Sequence, residues 1–415
     1  MKIPPQKEEK LKEHILEGRH LKLDFSTDPI RNLHSCVKVL IEPCHWGHNI
    51  RMTNKAEEKQ RFLEKIEDED RYIPDFRFRE FRYDRELLLD ILEQCIEAAD
   101  RIEEEELERY GAEKVTPEDL QRFYRDIFRE FRFFVELSAG IEREEKWRKY
   151  SEKIWPMVER TEFEKSREKM RDIETFEEKK ELDSSDLKQM FEDEIDRLDM
   201  KWEVEIRQVS GCHNIPEEKT VVVADGEDEK RYYSREEAKM LTVHELFHSV
   251  RAYNGYRASK NDLPPILAIH TPFYDRTEEG GALYREKKTG AAYSNKTYDH
   301  HLRLVTAYRM AKSEDLKEEF HGIAEDIIEM GADPERVFEL MARNREALRH
   351  HIYKSGEKAW KEASQKQIDA LLIGKINYEY AELFQEEVEA GGMMQEPAIG
   401  AKELFEFTFK DSEQT

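Results

Sequence analysis

The chain has 415 residues, a net charge of −25 at neutral pH, 39% charged residues and 38% hydrophobic residues, with 21 Phe, 17 Tyr and 5 Trp. This is enough apolar and aromatic material for a sizeable core, which excludes wholesale disorder, and the acidic excess repels phosphate backbones, which argues against nucleic acid as a partner. Cys36, Cys44, Cys95 and Cys212 are too scattered for a disulfide framework and suit a reducing interior. No stretch approaches the ~20 apolar residues of a membrane span, and the first ten residues carry charge and Pro4-Pro5 rather than an apolar signal core. The expectation is a soluble, cytoplasmic protein whose acidic surface would also suit a salt-rich cell interior.

Residues 1–80 read as a lead-in segment with short strands, Val37 to Ile41 among them. From residue 81 to 200 the pattern is helical. Leu88, Leu92, Cys95, Ile96, Ala99 and Ile102 form one apolar stripe. Thr116-Pro117-Glu118 reads as an N-cap with proline at the first helical position. The helix it opens carries Phe123, Ile127, Phe131, Phe134 and Leu137, a stripe of the kind that builds cores. Charge dominates from Glu142 to Asp199, which predicts helices with solvated faces. Then the period changes. Trp202, Val204 and Ile206 alternate with polar residues as a half-buried strand, and Lys219 to Ala224 (KTVVVA) is a second strand, a candidate for the strand that lines a substrate cleft. Ser234-Arg235-Glu236-Glu237 is a capping box that starts a helix, and Asn254-Gly255 is a candidate left-handed stop. After Gly290 the pattern stays helical to about Glu389. The segments 1–80, 81–200, 201–395 and a tail at 396–415 are expected to form one integrated α+β domain, mostly α-helical, with a small sheet beside the 235–254 helix.

That helix contains His244-Glu245-Leu246-Phe247-His248, an H-E-x-x-H word. Residues four apart share one helical face, so two imidazoles can reach one zinc ion while the adjacent glutamate reaches the water it activates. A catalytic zinc needs a third protein ligand and an open position. Glu278-Glu279-Gly280-Gly281, about 30 residues downstream, offers two carboxylates at a helix start, followed by glycines that allow close backbone approach. Both glutamates are also what a helix N-terminus favours for its dipole alone.

Together with the motif helix, Tyr253-Asn254-Gly255 and Tyr274-Asp275-Arg276-Thr277-Glu278-Glu279-Gly280-Gly281-Ala282 resemble the QEGLA-motif family of gluzincin-like metallopeptidases. That family includes flavohaemoglobin expression-modulating proteins of prokaryotes and microtubule-associated tyrosine carboxypeptidases of animals. Tyr72 to Phe78 resembles the family's "NPxFxY" segment, Leu371 to Ile376 its "GKI" segment, and Arg349 to Gly356 a stretch ending in "Y-x-x-G". The resemblance spans roughly residues 70 to 395. It implies zinc on His244, His248 and Glu279, the glutamate directly before glycine, with Glu245 catalytic. It further implies removal of a C-terminal tyrosine or phenylalanine from a peptide or protein. A C-terminal carboxylate calls for a cationic clamp, for which Arg349 and Tyr353 are the candidates. The chain departs from the family in its shorter H-E-x-x-H, where relatives carry H-E-x-x-x-H, and in EGGA for EGLA; both bear on the shape of the cleft.

Cys44-His45-Trp46-Gly47-His48 lacks a second ligand pair at zinc-finger spacing. His300-His301 and His350-His351 are adjacent pairs whose members point to different faces. His270, His300, His350 and Tyr353 remain equal candidates for stabilising a tetrahedral intermediate. The competing readings are a zinc endopeptidase and a regulatory or binding module on the same fold.

Overall fold

The computed structural model describes residues 5–19, 22–226, 230–269 and 274–405. The chain begins with α1 (Pro5–Leu16), α2 (Pro29–Cys44), the single-turn α3 (Trp46–Asn49) and α4 (Lys55–Glu67). Helices α5 (Arg85–Ala99), α6 (Glu104–Tyr110), α7 (Pro117–Ala139), α8 (Glu144–Ile154), α9 (Arg160–Asp172) and α10 (Ser184–Arg197) follow. Next come β1 (Glu203–Arg207), β2 (His213–Ile215) and β3 (Thr220–Ala224), then α11 (Arg235–Ala258) and α12 (Asp275–Lys288). The remainder is helical, with α13 (Ser294–Lys312), α14 (Leu316–Ile328), α15 (Pro334–Glu346), α16 (Ile352–Glu362), α17 (Gln365–Leu371), α18 (Ala381–Glu389) and α19 (Ala401–Phe405). The protein is thus mostly helical with one small sheet. No helix among the described residues is long and apolar enough to cross a membrane.

The chain divides into two compact units, each assembled from separate stretches. The first comprises residues 1–103, 117–174 and 298–354, and the second residues 104–116, 175–297 and 355–415. The linear segments 1–80, 81–200 and 201–395 therefore cut across the true grouping.

In the first unit, α2 replaces the strand expected at Val37 to Ile41. Ile30, Leu33, Val37, Leu40 and Cys44 are buried at steps of three and four, a helical stripe that outweighs the β preference of the valines. Asp28 caps the helix by accepting from the Arg31 amide, and Pro29 follows at the first position. The aromatic face of α7 is buried as its spacing demands, including Phe123, Ile127, Phe131, Phe134 and Leu137. A second aromatic cluster joins Phe62 of α4, Tyr72, Phe76, Phe320 of α14 and Phe338 of α15, with ring centroids 5.3–6.4 Å apart. Trp147 of α8 is fully buried and donates through Nε1 to the Asn344 carbonyl at 3.1 Å.

The second unit is organised around a three-stranded sheet of order β1-β3-β2, with β1 parallel and β2 antiparallel to β3. β3 (TVVVA) is buried along its whole length because it is central and covered. It is therefore not an edge strand; the edges are β1 and β2, the latter a three-residue strand whose alternation is too short to read from sequence. Helix α11 is buried through both histidines, with Val243, Leu246, Phe247 and Val250 at zero exposure. Its cap is half of the expected box. Ser234 accepts from the Glu237 amide at 3.0 Å, while the Glu237 carboxylate turns to Arg231 at 3.1 Å.

The helix does not stop at Asn254-Gly255 but continues to Ala258. Asn254 instead donates to the carbonyls of Leu372 and Ile399 and accepts from the Ile399 amide. Gly255 lies against the Leu267 backbone, where a Cβ would collide. Both residue types that favour a helix stop serve tertiary contacts here. The described part of the expected tail, residues 396–405, also packs into this unit, since Ile399 and Leu404 are buried; residues 406–415 lie outside the described residues.

Candidate metal centre

The geometry starts with α11. A regular helix through residues 235–258 places His244 and His248 on one face, with ring centroids 4.9 Å apart and planes at 79°. Opposite them runs α12, which carries Glu279. The Glu279 Oε2 lies 3.4 Å from His244 Nε2 and 3.9 Å from His248 Nε2. One donor atom from each of the three residues falls within 4.8 Å of the other two, the spacing that a single divalent ion spans when ligands converge on it.

The glycines that follow Glu279 set this approach. Both sit inside α12 rather than in a turn. A Cβ on Gly280 would strike the backbone of Gly356, and one on Gly281 would strike the rings of Phe247 and Trp360. Trp360 donates through Nε1 to the Thr277 carbonyl at 2.8 Å, which fixes the opening turn of α12. Arg285, fully buried on the same helix, donates to the carbonyl of Val243 at 2.8 Å, to that of Leu404 at 3.0 Å and to the Glu194 carboxylate at 3.0 Å. The residue just before His244 is thus tied directly to the helix that bears Glu279.

Each histidine is oriented from behind by its own carboxylate. His244 Nδ1 contacts Glu286 Oε1 at 2.6 Å, and His248 Nδ1 contacts Glu278 Oε1 at 3.0 Å. Such a bond fixes the ring and its tautomer, leaving Nε2 to face the common centre, and raises ligand basicity. Spacing alone left Glu278 and Glu279 as rivals for the third ligand, and the family resemblance pointed to Glu279. The helix separates them: Glu279 faces both Nε2 atoms, and Glu278, one residue and about 100° away, turns behind His248.

Glu278 is in turn held by two buried cations, since Lys375 Nζ lies 2.9 Å from its Oε1 and Arg251 Nη1 pairs with its Oε2. Arg251 also donates to the carbonyls of Leu371, Gly374 and Ile376. Burial alone would raise the Glu278 pKa, but Lys375 and Arg251 overcome it and hold the carboxyl well below the usual range. Sequence reasoning assigned no role to Arg251, Glu286 or Lys375. The available signals were weak: Glu286 follows Glu279 by two helical turns, and Lys375 lies in the segment resembling "GKI".

The electrostatics ask for a cation. Burial works against charge on His244, yet the carboxylates of Glu279 and Glu286 raise its pKa to about 10. A proton balances the carboxylates there, and a divalent ion among neutral imidazoles would balance them better. Glu245 is 9% exposed. Burial raises its pKa, against the opposing pull of His244 and His248. A carboxylate so placed suits proton transfer nearer neutral pH than a solvated glutamate.

His244, His248, Glu279 and Glu245 are therefore brought together within the second unit. Arg349 and Tyr353 belong to the first unit. The Tyr353 ring lies 5.2 Å from His300 and 5.2 Å under the Arg303 guanidinium. His350 is buried, with Nδ1 3.1 Å from Asn344 Oδ1, and its pKa falls well below the usual value through burial and the nearby Arg303 and Arg349. His270 and the side chains of Trp46 and His48 lie outside the described residues.

No protein-family model matches the chain, and no curated protein matches its sequence.

Proposed function

We propose that the second unit is a zinc-dependent peptidase centre. Zinc would be held by His244, His248 and Glu279, with Glu245 as the general base. The observation that carries this reading is the convergence of the three donor atoms, with both histidines locked from behind by Glu286 and Glu278. The donor set fits zinc: two nitrogens and one carboxylate oxygen, a gluzincin-like set. A bound zinc would supply Lewis-acid polarisation of a carbonyl and a lowered water pKa.

The remaining work falls to the chain. Glu245 takes the proton of the attacking water and delivers it to the departing amine, a role that its raised pKa serves in both directions. Glu278 and Glu286 keep the two rings aimed. Lys375 and Arg251 keep Glu278 ionised and in place, so that it accepts from His248 throughout.

The resemblance to the QEGLA-motif family specifies the reaction further, as release of a C-terminal tyrosine or phenylalanine. An endopeptidase is the second reading. It is favoured by β2, which lies at the sheet margin beside α11 and is paired only to β3 among the described residues. An extended substrate could add to such an edge. The test is zinc-loaded protein against matched peptides ending in tyrosine or phenylalanine, with free or amidated C-termini. Cleavage of the free form alone supports the carboxypeptidase, and equal cleavage of both supports the endopeptidase. Absence of stoichiometric zinc by elemental analysis, or a Glu245→Gln variant as active as the parent, overturns both.

A further inference from the structure

The first unit contains a cavity of about 350 Å³ that the metal centre does not use. Its apolar wall is Pro74, Phe76, Leu316 and Phe320. Arg345 also lines it, and this arginine is unusual. It is 8% exposed, and no carboxylate lies within ion-pair distance of it among the described residues. Its guanidinium lies between the rings of Phe78 at 4.8 Å and Trp147 at 5.3 Å. One nitrogen donates weakly to the Glu142 carbonyl at 3.4 Å, and Nη1 is buried with no hydrogen-bond partner. Aromatic faces compensate a buried cation only in part. The Glu144 and Glu142 carboxylates favour its charge from beyond ion-pair distance, and its buried Nη1 beside the open cavity is left to take a hydrogen-bond acceptor.

The rim adds a second requirement. Asp75, Glu142, Glu144 and Asp315 border the same cavity, against Lys317 as the only other cation lining it. A simple organic anion would be repelled at that rim. A zwitterion would not: its carboxylate can neutralise Arg345 while its ammonium faces the acidic border. Between the two poles, the half-buried Phe76 ring, backed 5.4 Å away by the fully buried Phe320, suits an aromatic or branched apolar group. The volume lies at the small end of the roughly 300–1,000 Å³ typical of small-molecule sites.

We propose that this cavity binds a free α-amino acid with an aromatic or branched apolar side chain, with Arg345 as the carboxylate receptor. A carboxypeptidase acting on aromatic C-termini would produce such a ligand, but the case for the cavity does not rest on that reading.

The test is calorimetric titration of the full chain, stripped of metal by chelation so that the metal centre cannot capture the amino acid. The probes are L-phenylalanine, L-phenylalaninamide, which lacks the carboxylate, and 3-phenylpropanoate, which lacks the ammonium. The expected result is saturable binding of L-phenylalanine, weakened about tenfold or more for each analogue, since a missing partner leaves a buried polar group unpaired. Arg345→Met should abolish binding without lowering the melting temperature, because it removes an incompletely compensated buried charge. An arginine kept only for packing would instead show a fall in melting temperature with no change in binding. Absence of saturation below about 10 mM L-phenylalanine overturns the proposal. So does equal affinity for the amide, or undiminished binding by Arg345→Met. Where that variant does not fold, Phe76→Ala decides: affinity reduced about tenfold supports the site, as loss of apolar contact should, and unchanged affinity overturns it.

Discussion

Two buried charged sites in this protein have opposite designs. Around Glu278, in the second unit, Lys375, Arg251 and His248 all converge on one carboxylate, and Arg251 uses three backbone carbonyls as well. Around Arg345, in the first unit, there are two aromatic faces and one long hydrogen bond, and among the described residues no carboxylate lies within ion-pair distance, although Glu142 and Glu144 border the same cavity. The first arrangement is saturated from within and forms a buried backing behind His248, one of the candidate metal ligands. The second is left open, beside a cavity. The contrast teaches that a buried charge is informative through its partners rather than its presence: a complete partner set marks a positioning role, and a missing one marks a place for a ligand.

The comparison can be broken most sharply at the metal centre. Glu245→Gln should lower peptidase activity by about 10²–10⁴-fold with zinc content unchanged, whereas His244→Ala should lose both, as read by paired elemental analysis and peptide assays. Loss of zinc in Glu245→Gln would show that this carboxylate is a ligand and would redraw the site. Next in size is Glu278→Ala. It leaves Lys375 and Arg251 buried without their counter-charge and should destabilise the second unit by about 3–5 kcal/mol. Denaturant unfolding of the Glu278→Ala, Lys375→Met double variant should recover part of that loss; no recovery would show that the ion pair is not the source of the effect. Glu286→Gln is milder. It keeps shape and removes charge behind His244, and zinc affinity in competition with a chelator should fall about 10–100-fold.

The smallest effect concerns acid, and it falls on the first unit. Burial, reinforced by Lys38 and Arg31, lowers the His34 pKa to about 3, and burial with the surrounding arginines lowers that of His350. Both are neutral when folded and take up a proton at ~6.5 when unfolded. The unfolded state therefore binds more protons below that pH, so this stability is present above ~6.5 and is lost as pH falls, for His34 until about 3. Each histidine contributes a slope of at most ~1.4 kcal/mol per pH unit. The hydrogen-exchange protection factors of α2 and α15, taken relative to the intrinsic exchange rate at each pH, should fall from pH 6.5 to 5, and His34→Gln should flatten the response in α2. Protection factors that do not change across that range would contradict the buried neutral state.

Much of the second unit's candidate site follows from local sequence. The four-residue spacing of His244 and His248, the serine cap at Ser234 and the apolar residues between them dictate a helix with both imidazoles on one side, because the 3.6-residue period is a property of the backbone alone. The same local logic located α7 and the strands at Val204 and Val221. It misread Val37 to Ile41, where β-branched residues suggested a strand and the longer stripe from Ile30 to Cys44 built a helix.

Tertiary structure alone decided the rest. Asn254 and Gly255 have the identity of a helix stop, but the contacts that keep them helical come from Leu267, Leu372 and Ile399, far along the chain. Glu278 and Glu279 are chemically identical neighbours, and only the packing of α12 against α11 gives one the metal face and the other the histidine's back. Arg345 is one of many arginines in the sequence. Its isolation depends on which carboxylates the fold leaves out of reach, and no periodicity encodes an absence of partners. Helical phase is set within a few residues, whereas the pairing of charges is set by which distant segments share a core.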